Sequence, residues 1–583
     1  ICLLDNDTHS LENMTHKSPF FPEGSFSKWQ LALVVGTPVV IGLGYLYYKK
    51  NCVEPEKVNL DPKICEKKKV SVDASAGDSP KVPATPFSLA QEAKAKGNEF
   101  FKKGLYEEAR NCYDEAIKLC PEDQTKELST FYQNRAAANE QLGDSESVKT
   151  DCNKALEYNP KYTKALHRRA KACESMGDFT QSLQDITAVC ILESFQNQSS
   201  LLMADRVLKT LGKAHAKAAI VNKKLSKPSK YFMKTYLNSF TEDPVMNAIN
   251  SSPFNSVTDS GDAGSDVGYM KALEHMRKSE FDNVQECCTE ELKIEASPFH
   301  GEALLLRGTL HHLEGNHEAA LKDFSDVISN DEYDVKLRVN ALLKRASLHL
   351  QRERVDDCLT DFNVAADLDP NNSDIYHHRG QMYIIIDMMS EAAEDFKKAV
   401  SLNPDFSVAF VQKCYVDYRF ATLKSDMNGV KSAIETFETA ITKFPNCSEC
   451  LTLYAQILAE QQNFDRAESL YEKALELDPQ NATTYVHKGL LQLQSRGDIS
   501  GTTDLLKKAI ELDDKCELAY ETLGTIEVQR GNLEHAIKLF DRAINLAKTE
   551  IEMAHLFSLR DAAIAQATVA KNLGIQVPTA GVF

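Results

Sequence analysis

The chain has 583 residues, 43% of them hydrophobic, which excludes a mostly disordered polypeptide. Its formal net charge of -18 at pH 7 argues against general nucleic-acid binding, because contacts with phosphates need a basic surface. The 25 Gly and 19 Pro residues are few for this length and favour long helices. The 15 cysteines are scattered and odd in number, so a reducing compartment is favoured over a disulfide framework.

Residues 29–48, WQLALVVGTPVVIGLGYLYY, predict a transmembrane helix. The run carries no charge over 20 positions, and a helix of that length spans about 30 Å, the thickness of a bilayer's hydrocarbon core. Trp29 at one end and Tyr47 and Tyr48 at the other are typical of membrane interfaces. A cleaved signal peptide is the alternative, but the run is too long and lacks a small-residue cleavage site. The lysines that follow favour a cytosolic location for the rest of the chain.

An internal repeat begins after residues 49–87, a polar stretch whose composition predicts a flexible charged linker. Small residues and a proline recur at one spacing, first at Gly97, Ala109, Ala116 and Pro121 and again at Ala346, Cys358, Ala365 and Pro370. Neighbouring copies lie 34 residues apart, as Ala346 and Gly380 do. Small residues let two helices pack closely, and the proline ends the second helix. The pattern resembles the tetratricopeptide repeat.

The repeats predict an all-α fold, a tetratricopeptide-repeat superhelix of about 11 repeats in two arrays with an N-terminal transmembrane helix. About three repeats fall within 88–195 and about eight within 268–546, with a capping helix at about 549–575. Residues 200–239 also have a helical pattern. The predicted domains are a short N-terminal segment (1–28), the anchor (29–48), the charged linker (49–87), a first repeat domain with connecting helices (88–240), a flexible linker (241–267) and a C-terminal array with its capping helix (268–583).

Positive charge is concentrated in residues 160–171, PKYTKALHRRAK, although the chain is acidic. If the small residue is position 8 of each repeat, positions 2, 5, 6 and 9 of its first helix point into the groove of a tetratricopeptide domain. In the first three repeats these positions carry Lys94, Asn98, Asn134, Lys164 and Arg168. This set resembles the dicarboxylate clamp of tetratricopeptide domains that bind the chaperone tail ending Glu-Glu-Val-Asp.

The chemistry of the five residues suits a C-terminal aspartate, which offers two carboxylates. Two lysines, an arginine fork and two amides can supply charge-assisted hydrogen bonds to both. A solvated helix face is the other interpretation, and we adopt it for Lys161, Arg169 and Lys171. A nucleic-acid site is disfavoured because no aromatic stacking platform accompanies the basic residues.

The groove positions of the longer array carry a different set of side chains. The candidate groove residues are acidic or histidine: Glu302, Asp374, His377, Glu449, Glu517 and Glu521. Apolar residues fall at comparable positions: Leu305, Leu343, Val486 and Leu490. An acidic groove with apolar patches suits a basic amphipathic or hydrophobic segment. Surface glutamate is common on helices, so a solvated face stays open as the alternative for any one of these acids.

Cys447 and Cys450 form a single C-x-x-C motif. No second pair stands at zinc spacing, so structural thiols are favoured over a metal or redox site. The sequence contains no recognisable nucleophile–base constellation, phosphate loop or metal cluster. We therefore expect no enzyme activity, no cofactor and no bound metal.

Five stretches carry a resemblance that covers nearly the whole chain: NPKYTKALHRRAKA, TAVCILESFQNQ, DIYHHRGQMY, NATTYVHKGLLQLQ and AYETLGTIEVQRGN. Together with the anchor, the linker and the two arrays, they resemble the seventy-kilodalton import receptors of the mitochondrial outer-membrane translocase. The resemblance implies a single-pass protein of the mitochondrial outer membrane. Residues 1–28 would lie on the intermembrane-space side and the C-terminal domain in the cytosol.

The resemblance also implies partners. A receptor of this family takes preproteins, including inner-membrane carriers with internal signals, from cytosolic heat-shock chaperones of the ninety- and seventy-kilodalton classes. It passes them to the general import pore and associates with other translocase subunits. The clamp would be formed by the five residues named above, and the preprotein site would lie within 268–583. The main alternative is a membrane-anchored co-chaperone scaffold at another organelle, and an unrecognised enzyme is a distant third.

Overall fold

The computed structural model describes residues 85–221, 223, 227–251 and 268–575. The predicted anchor and most of the two predicted linkers lie outside these ranges. Within them the chain folds into 26 α-helices and a short 3-10 helix, Phe281–Asn283, without a strand. None of the helices in the described part of the chain is both long and apolar enough to span a bilayer.

The helices are numbered in chain order. The first nine are α1 (Pro86–Lys102), α2 (Tyr106–Leu119), α3 (Thr125–Gln141), α4 (Ser145–Tyr158), α5 (Thr163–Ser175), α6 (Phe179–Leu192), α7 (Gln198–Ile220), α8 (Lys230–Asn238) and α9 (Pro244–Ser251). The next eight are α10 (Tyr269–Lys278), α11 (Val284–Glu291), α12 (His300–Glu314), α13 (His317–Ser329), α14 (Val335–Gln351), α15 (Val355–Leu368), α16 (Ser373–Ile385) and α17 (Met389–Leu402). The last nine are α18 (Ser407–Leu423), α19 (Met427–Lys443), α20 (Ser448–Glu460), α21 (Phe464–Leu477), α22 (Ala482–Arg496), α23 (Ile499–Leu512), α24 (Glu517–Gln529), α25 (Leu533–Leu546) and α26 (Glu550–Leu573).

The helices pair as the sequence predicts. Helices α1 to α6 form three consecutive helix pairs, and α10 to α25 form eight. The all-α repeat fold and the count of about 11 repeats are confirmed for the described residues. In the pair α16 and α17 the first helix packs against the second at Gly380, where an added methyl group would lie 3.0 Å from a ring carbon of Phe396.

Close packing explains why the repeat position is small. A methyl group added to Gly97 of α1 would lie 2.7 Å from a ring carbon of Tyr113 on α2. The same substitution at Gly524 of α24 would lie 2.7 Å from the ring of Phe540 on α25. Because the aromatic residue of the second helix stands against the backbone of the first, no larger side chain fits there.

An arginine–aspartate bridge joins the two helices in five of the repeats. The arginine directly precedes the small residue, and the aspartate follows 16 positions later: Arg135–Asp151, Arg169–Asp185, Arg307–Asp323, Arg345–Asp361 and Arg379–Asp395. Our interpretation of Arg169 as a merely solvated residue is therefore wrong. Its guanidinium donates to Asp185, whose side chain is 3% exposed, at 2.7 and 2.6 Å. Lys171, in contrast, is 54% exposed as expected.

The described residues form two compact units. The central unit comprises 227–251 and 268–487, and the terminal unit comprises 85–223 and 488–575 where described, with the division inside α22. These units differ from the domain boundaries predicted from sequence, because α8 packs with the later repeats and α24 to α26 pack with the early ones. The binding role predicted for each domain stays a prediction.

Packing of α26 on α7 holds the terminal unit together. Val207 and Leu211 of α7 are buried in one apolar cluster with Ala565 and Val569 of α26. The helices approach so closely at Gly212 that an added methyl group would lie 2.5 Å from the Ala554 carbonyl oxygen. Beyond capping the last repeat as expected, α26 thus joins that repeat to helices from the first part of the unit.

The central unit encloses a segment of its own chain. This inner segment, residues 229–250, contains α8 and most of α9 and lies against the first helices of successive repeats. Its apolar side chains are buried in the main core of the unit: Met233, Tyr236, Leu237, Phe240 and Val245. At its centre the Lys344 ammonium forms an ion pair with Asp243 at 2.8 Å, and both side chains are at most 1% exposed.

Candidate peptide-binding sites

The five clamp residues lie on the first helices of the first three repeats in the terminal unit. Helix α1 carries Lys94 and Asn98, α3 carries Asn134, and α5 carries Lys164 and Arg168. These helices are held in register by their second helices, as described above. Lys164 is exposed and the other four are partly buried. All five therefore have surface that a ligand can reach.

The two asparagines contact each other. Asn134 Nδ2 donates to Asn98 Oδ1 at 3.4 Å, and the same oxygen accepts a 2.8 Å hydrogen bond from the Tyr113 hydroxyl. Because both bonds occupy the Asn98 oxygen, its Nδ2 group can be directed at a ligand as a donor. Burial raises the pKa of Tyr113 to about 12, so that hydroxyl stays protonated as the donor.

The charged residues of the clamp have acidic neighbours. Lys94 Nζ lies 3.5 Å from a carboxylate oxygen of Glu127 and 5.5 Å from the centre of the Phe131 ring. Arg168 Nε donates to Glu140 at 2.6 Å. Each of these pairs keeps a cation in place, and each can exchange its carboxylate for one from a ligand.

Three supporting residues were missed by the sequence analysis: Tyr113, Glu127 and Glu140. A signal for Tyr113 was present, because an aromatic residue stands 16 positions after the small residue in several repeats. Tyr113 follows Gly97 at that spacing, as Phe396 follows Gly380. The two glutamates have no such signal, since their pairing depends on how neighbouring repeats stack.

Asp374 and His377 of the candidate groove are buried, each 1% exposed. Both positions were predicted to line an accessible groove, and that accessibility is wrong. Asp374 faces the inner segment, whereas His377 packs against the rings of Phe396 and Phe406. Asp374 accepts hydrogen bonds from the Thr241 hydroxyl at 2.6 Å and the Glu242 amide at 2.9 Å. The reason is that the chain covers this part of the groove with its own residues.

Burial changes the protonation of these groups. It raises the pKa of Asp374 to about 6, although hydrogen bonds from the inner segment oppose the rise. It lowers the pKa of His377 well below its usual value, and the neighbouring His378 adds to the effect. His378 packs on Phe240 of the inner segment, with ring centres 4.3 Å apart. This part of the groove is thus occupied by residues of the chain itself, and its two histidines are neutral at pH 7.

Glu302 and Glu449 are the candidate groove residues of the central unit that keep exposed surface. Burial raises the pKa of Glu302, and the nearby Asp334 carboxylate contributes. Glu449 lies in the first turn of α20, where it accepts hydrogen bonds from the Ser448 hydroxyl at 3.3 Å and the Cys447 thiol at 3.5 Å. Both carboxyls can therefore be reached from outside the unit.

Glu517 and Glu521 belong to the terminal unit and lie in a mixed cluster of charges. Burial raises the pKa of Glu517 well above its usual value, and the carboxyls of Glu552 and Glu521 add to the rise. Burial also lowers the pKa of Lys548 to about 8. Glu521 is paired with His555 at 3.1 Å. The structure therefore assigns two candidate groove residues to one unit and four to the other.

The apolar residues predicted at groove positions also differ in how far they are buried. Leu305, Leu343 and Val486 are at most 3% exposed and belong to the interior, whereas Leu490 is partly buried. Among the described residues, no group of three or more His, Cys, Asp or Glu side chains has the geometry to hold a metal ion. The arrangement offers hydrogen-bonding and charged side chains suited to peptides.

Family models match four parts of the chain. A tetratricopeptide-repeat model matches residues 418–482, a second matches 129–162 and 373–406, and a TPR-repeat model matches 97–143. The human protein called mitochondrial import receptor subunit TOM70 is 46% identical over 575 residues, covering 95% of this chain and 94% of the relative. This chain belongs to the TOM70 family.

More distant members agree. The mouse protein of the same name is 45% identical, covering 95% of this chain and 93% of the relative. The protein of that name in Saccharomyces cerevisiae strain ATCC 204508 / S288c is 25% identical, covering 81% of this chain and 79% of the relative. The crystal structure of yeast Tom70 aligns with a TM-score of 0.48 at 26% identity, covering 83% of this chain and 99% of that one. The human and mouse relatives confirm, at the level of the family, the resemblance found in the sequence.

Proposed function

We propose that the chain is a mitochondrial outer-membrane receptor that docks cytosolic chaperones through the clamp and accepts preproteins with internal targeting signals. It would then transfer these preproteins, inner-membrane carriers among them, to the general import pore. The proposal rests on membership in a family whose relatives are called import receptor subunits. The observation that carries the chaperone role is the cluster of carboxylate-binding side chains on α1, α3 and α5. No catalytic step is part of this function.

In the proposed complex the clamp binds the last residue of a chaperone tail ending Glu-Glu-Val-Asp. Asn98 Nδ2 and Asn134 would bind one carboxylate, with Tyr113 holding the Asn98 amide in orientation. Lys94, Lys164 and Arg168 would neutralise the two negative charges. Arg168 has five N–H donors, and its Nε bond to Glu140 leaves others for the ligand. Selectivity for a free C-terminus follows, since an internal aspartate offers one carboxylate only.

For preproteins we propose a site in the central unit around Glu302 and Glu449. This assignment rests on the partly exposed side chains of Glu302 and Glu449, because Asp374 and His377 are buried. A carboxylate at each position would attract a basic targeting segment. Glu517 and Glu521 stay candidates in the terminal unit, where Lys223 and Lys548 lie near Glu517 and His555 pairs with Glu521.

The clamp is tested by the variant Arg168→Ala. Binding of a fluorescent peptide ending Glu-Glu-Val-Asp to the full chain is measured by anisotropy. We expect a loss of about 30-fold or more in affinity, because an arginine–carboxylate contact that is removed on one side costs about 2 kcal/mol or more. Lys161→Ala removes an exposed positive charge nearby and should leave affinity unchanged. Equal binding by Arg168→Ala and the parent chain would refute the clamp.

The preprotein site is tested by charge reversal, with Glu449→Lys and Glu521→Lys made separately. Affinity for a basic targeting peptide should fall in Glu449→Lys, while affinity for the chaperone tail stays unchanged. The affinity of Glu521→Lys for the same peptide shows whether the terminal unit contributes to binding it. If neither variant weakens binding of the basic peptide, the acidic site is excluded.

The location is tested by fusing residues 1–87 to a fluorescent reporter. We expect the fusion to outline mitochondria, with the reporter accessible to protease added to the cytosolic side. An endoplasmic-reticulum pattern would instead favour the alternative of a co-chaperone scaffold at that membrane.

A further inference from the structure

The C-x-x-C motif lies at the beginning of α20 in the central unit. Cys447 is the N-cap residue of this helix, and its sulfur accepts a hydrogen bond from the backbone amide of Cys450 at 3.4 Å. The unpaired amides of a first helical turn stabilise negative charge, which here favours a thiolate at Cys447. A Cys-x-x-Cys pair in this position is the arrangement that disulfide oxidoreductases use.

The two thiols have opposite environments. A hydrogen bond from the Cys450 thiol lowers the pKa of Cys447, against the opposing effects of burial and of the Glu449 carboxylate. The same hydrogen bond, together with burial, raises the pKa of Cys450. Cys450 is fully buried, and its thiol also lies 3.7 Å from the Ser407 carbonyl oxygen, whereas Cys447 keeps 9% of its surface. One sulfur is thus suited to attack a small oxidant and the other to act as the protonated partner behind it.

We propose that Cys447 and Cys450 are a redox-active pair that forms a reversible intramolecular disulfide when the protein meets a peroxide. The Cys447 thiolate attacks one oxygen of hydrogen peroxide and becomes a sulfenic acid, and the other oxygen leaves as hydroxide, which a proton converts to water. The Cys450 sulfur then attacks the Cys447 sulfur, the S–S bond forms, and the sulfenic oxygen leaves as a second water with the Cys450 proton. Two thiols are oxidised and one peroxide is reduced. A dithiol reductant reverses the reaction.

Other cysteines in the described part of the chain provide the contrast. Cys112 is more exposed than Cys447, but burial and the nearby Glu115 raise its pKa. Cys414 lies in the same unit as the pair, and burial raises its pKa to about 12. Exposure alone therefore does not set reactivity here, because the thiolate is the reacting form. The sequence motif alone favoured structural thiols, and the position at a helix N-terminus changes that interpretation.

Disulfide formation also alters a groove residue. Glu449 stands between the two cysteines and accepts a hydrogen bond from the Cys447 thiol at 3.5 Å. A sulfur in a disulfide has no proton to donate, so oxidation removes this donor and leaves the Ser448 hydroxyl, at 3.3 Å, as a donor to the Glu449 carboxylate. The redox state of the pair thus changes the hydrogen bonding of a partly exposed carboxyl on the central unit.

The test treats the reduced full chain with hydrogen peroxide, unfolds it, alkylates the remaining thiols and resolves them by peptide mass spectrometry. We expect the 447 and 450 thiols to disappear together, with a mass loss of two hydrogens that dithiothreitol restores. Their loss should be about tenfold faster than the loss of the Cys112 thiol, which serves as the internal control. No variant is needed for this comparison, so it does not depend on the folding of a mutant.

Two variants test the separate roles proposed for Cys447 and Cys450. In Cys450→Ser, Cys447 should stop at sulfenic acid, which dimedone traps. In Cys447→Ser, Cys450 should remain a thiol. Circular dichroism and binding of the chaperone peptide check that both variants are folded. The proposal is overturned if both thiols survive as long as the Cys112 thiol, if each oxidises without forming the shared disulfide, or if Cys447 pairs with Cys414 instead.

Discussion

The clamp face of the terminal unit and the groove of the central unit use the same positions of the repeat in different ways. On the clamp face, Asn98, Asn134 and Arg168 are partly buried and bonded to near neighbours. In the central unit, Asp374 stands at the repeat position of Lys164 but lies under the inner segment. His377, at the repeat position of Lys94, is buried against Phe396 and Phe406. The difference teaches that repeat phase identifies the inner face of a repeat array but does not reveal whether the chain itself covers that face.

Two lysine–carboxylate pairs, one in each unit, differ in how strongly each lysine depends on its partner. Lys94 on the clamp face has a carboxylate neighbour at 3.5 Å, with about a quarter of both side chains exposed. Lys344 in the central unit is paired with Asp243 in the interior. Water screens the first pair, which can exchange partners at small cost. The second has no solvent to replace a lost partner, so it fixes the inner segment in place.

The largest effect is expected for Lys344→Met, which removes the buried lysine of the central unit. The substitution leaves the buried Asp243 carboxylate without its counter-ion, which we expect to cost the central unit about 3–5 kcal/mol. Lys336→Met is the matched control, because Lys336 on the same helix pairs with Glu242 at 3.0 Å but is 59% exposed, and it should cost less than about 1 kcal/mol. Hydrogen exchange of the α8 and α9 amides, with thermal unfolding, measures both. Similar losses in the two variants would contradict a special role for the buried pair.

A second test lowers the pH. Burial lowers the pKa values of His378 and His487 to about 4, so the unfolded chain binds more protons between pH 6.5 and 4. The free energy of unfolding of the central unit should fall through that range by about 3 kcal/mol per histidine. Asp374, whose pKa burial raises to about 6, partly offsets this loss, because the folded state protonates it first.

Hydrogen exchange in α16, α20 and α22 at a series of pH values would follow this loss, after correction for intrinsic rates. His167 on the clamp face is only partly buried, and burial lowers its pKa as well. The amides of α3 and α5 should therefore lose less protection than those of the central unit. His487→Gln should remove its share of the pH dependence, and a variant as acid-sensitive as the parent would argue against this cause.

The smallest expected effect belongs to Tyr113→Phe. It removes the hydroxyl that orients Asn98, and affinity for a peptide ending Glu-Glu-Val-Asp should fall about three- to tenfold, the equivalent of one hydrogen bond of about 1 kcal/mol. Tyr106→Phe on the same helix is the control, since its ring packs on Phe101. Unchanged affinity in Tyr113→Phe would show that Asn98 holds its orientation without help.

Some of this organisation could be predicted from sequence, and some could not. The repeat phase predicted the helix pairs, because small residues and prolines constrain neighbours within one repeat. It also predicted correctly that Lys171 is exposed, but it failed for Arg169, whose partner Asp185 lies in the next helix. The recurrence of arginine before the small residue and aspartate 16 positions later would have revealed that pairing.

What the sequence alone determined was the local pattern: eleven helix pairs, the small residues at their contacts, and the positions that face inward. Those features depend on residues within about one repeat of each other, so they can be read from spacing. Only the tertiary structure decided that α26 packs on α7, that the inner segment covers Asp374, and that Cys447 caps α20 against the Cys450 amide. These depend on contacts between distant parts of the chain or on the orientation of single side chains, neither of which a repeat pattern encodes.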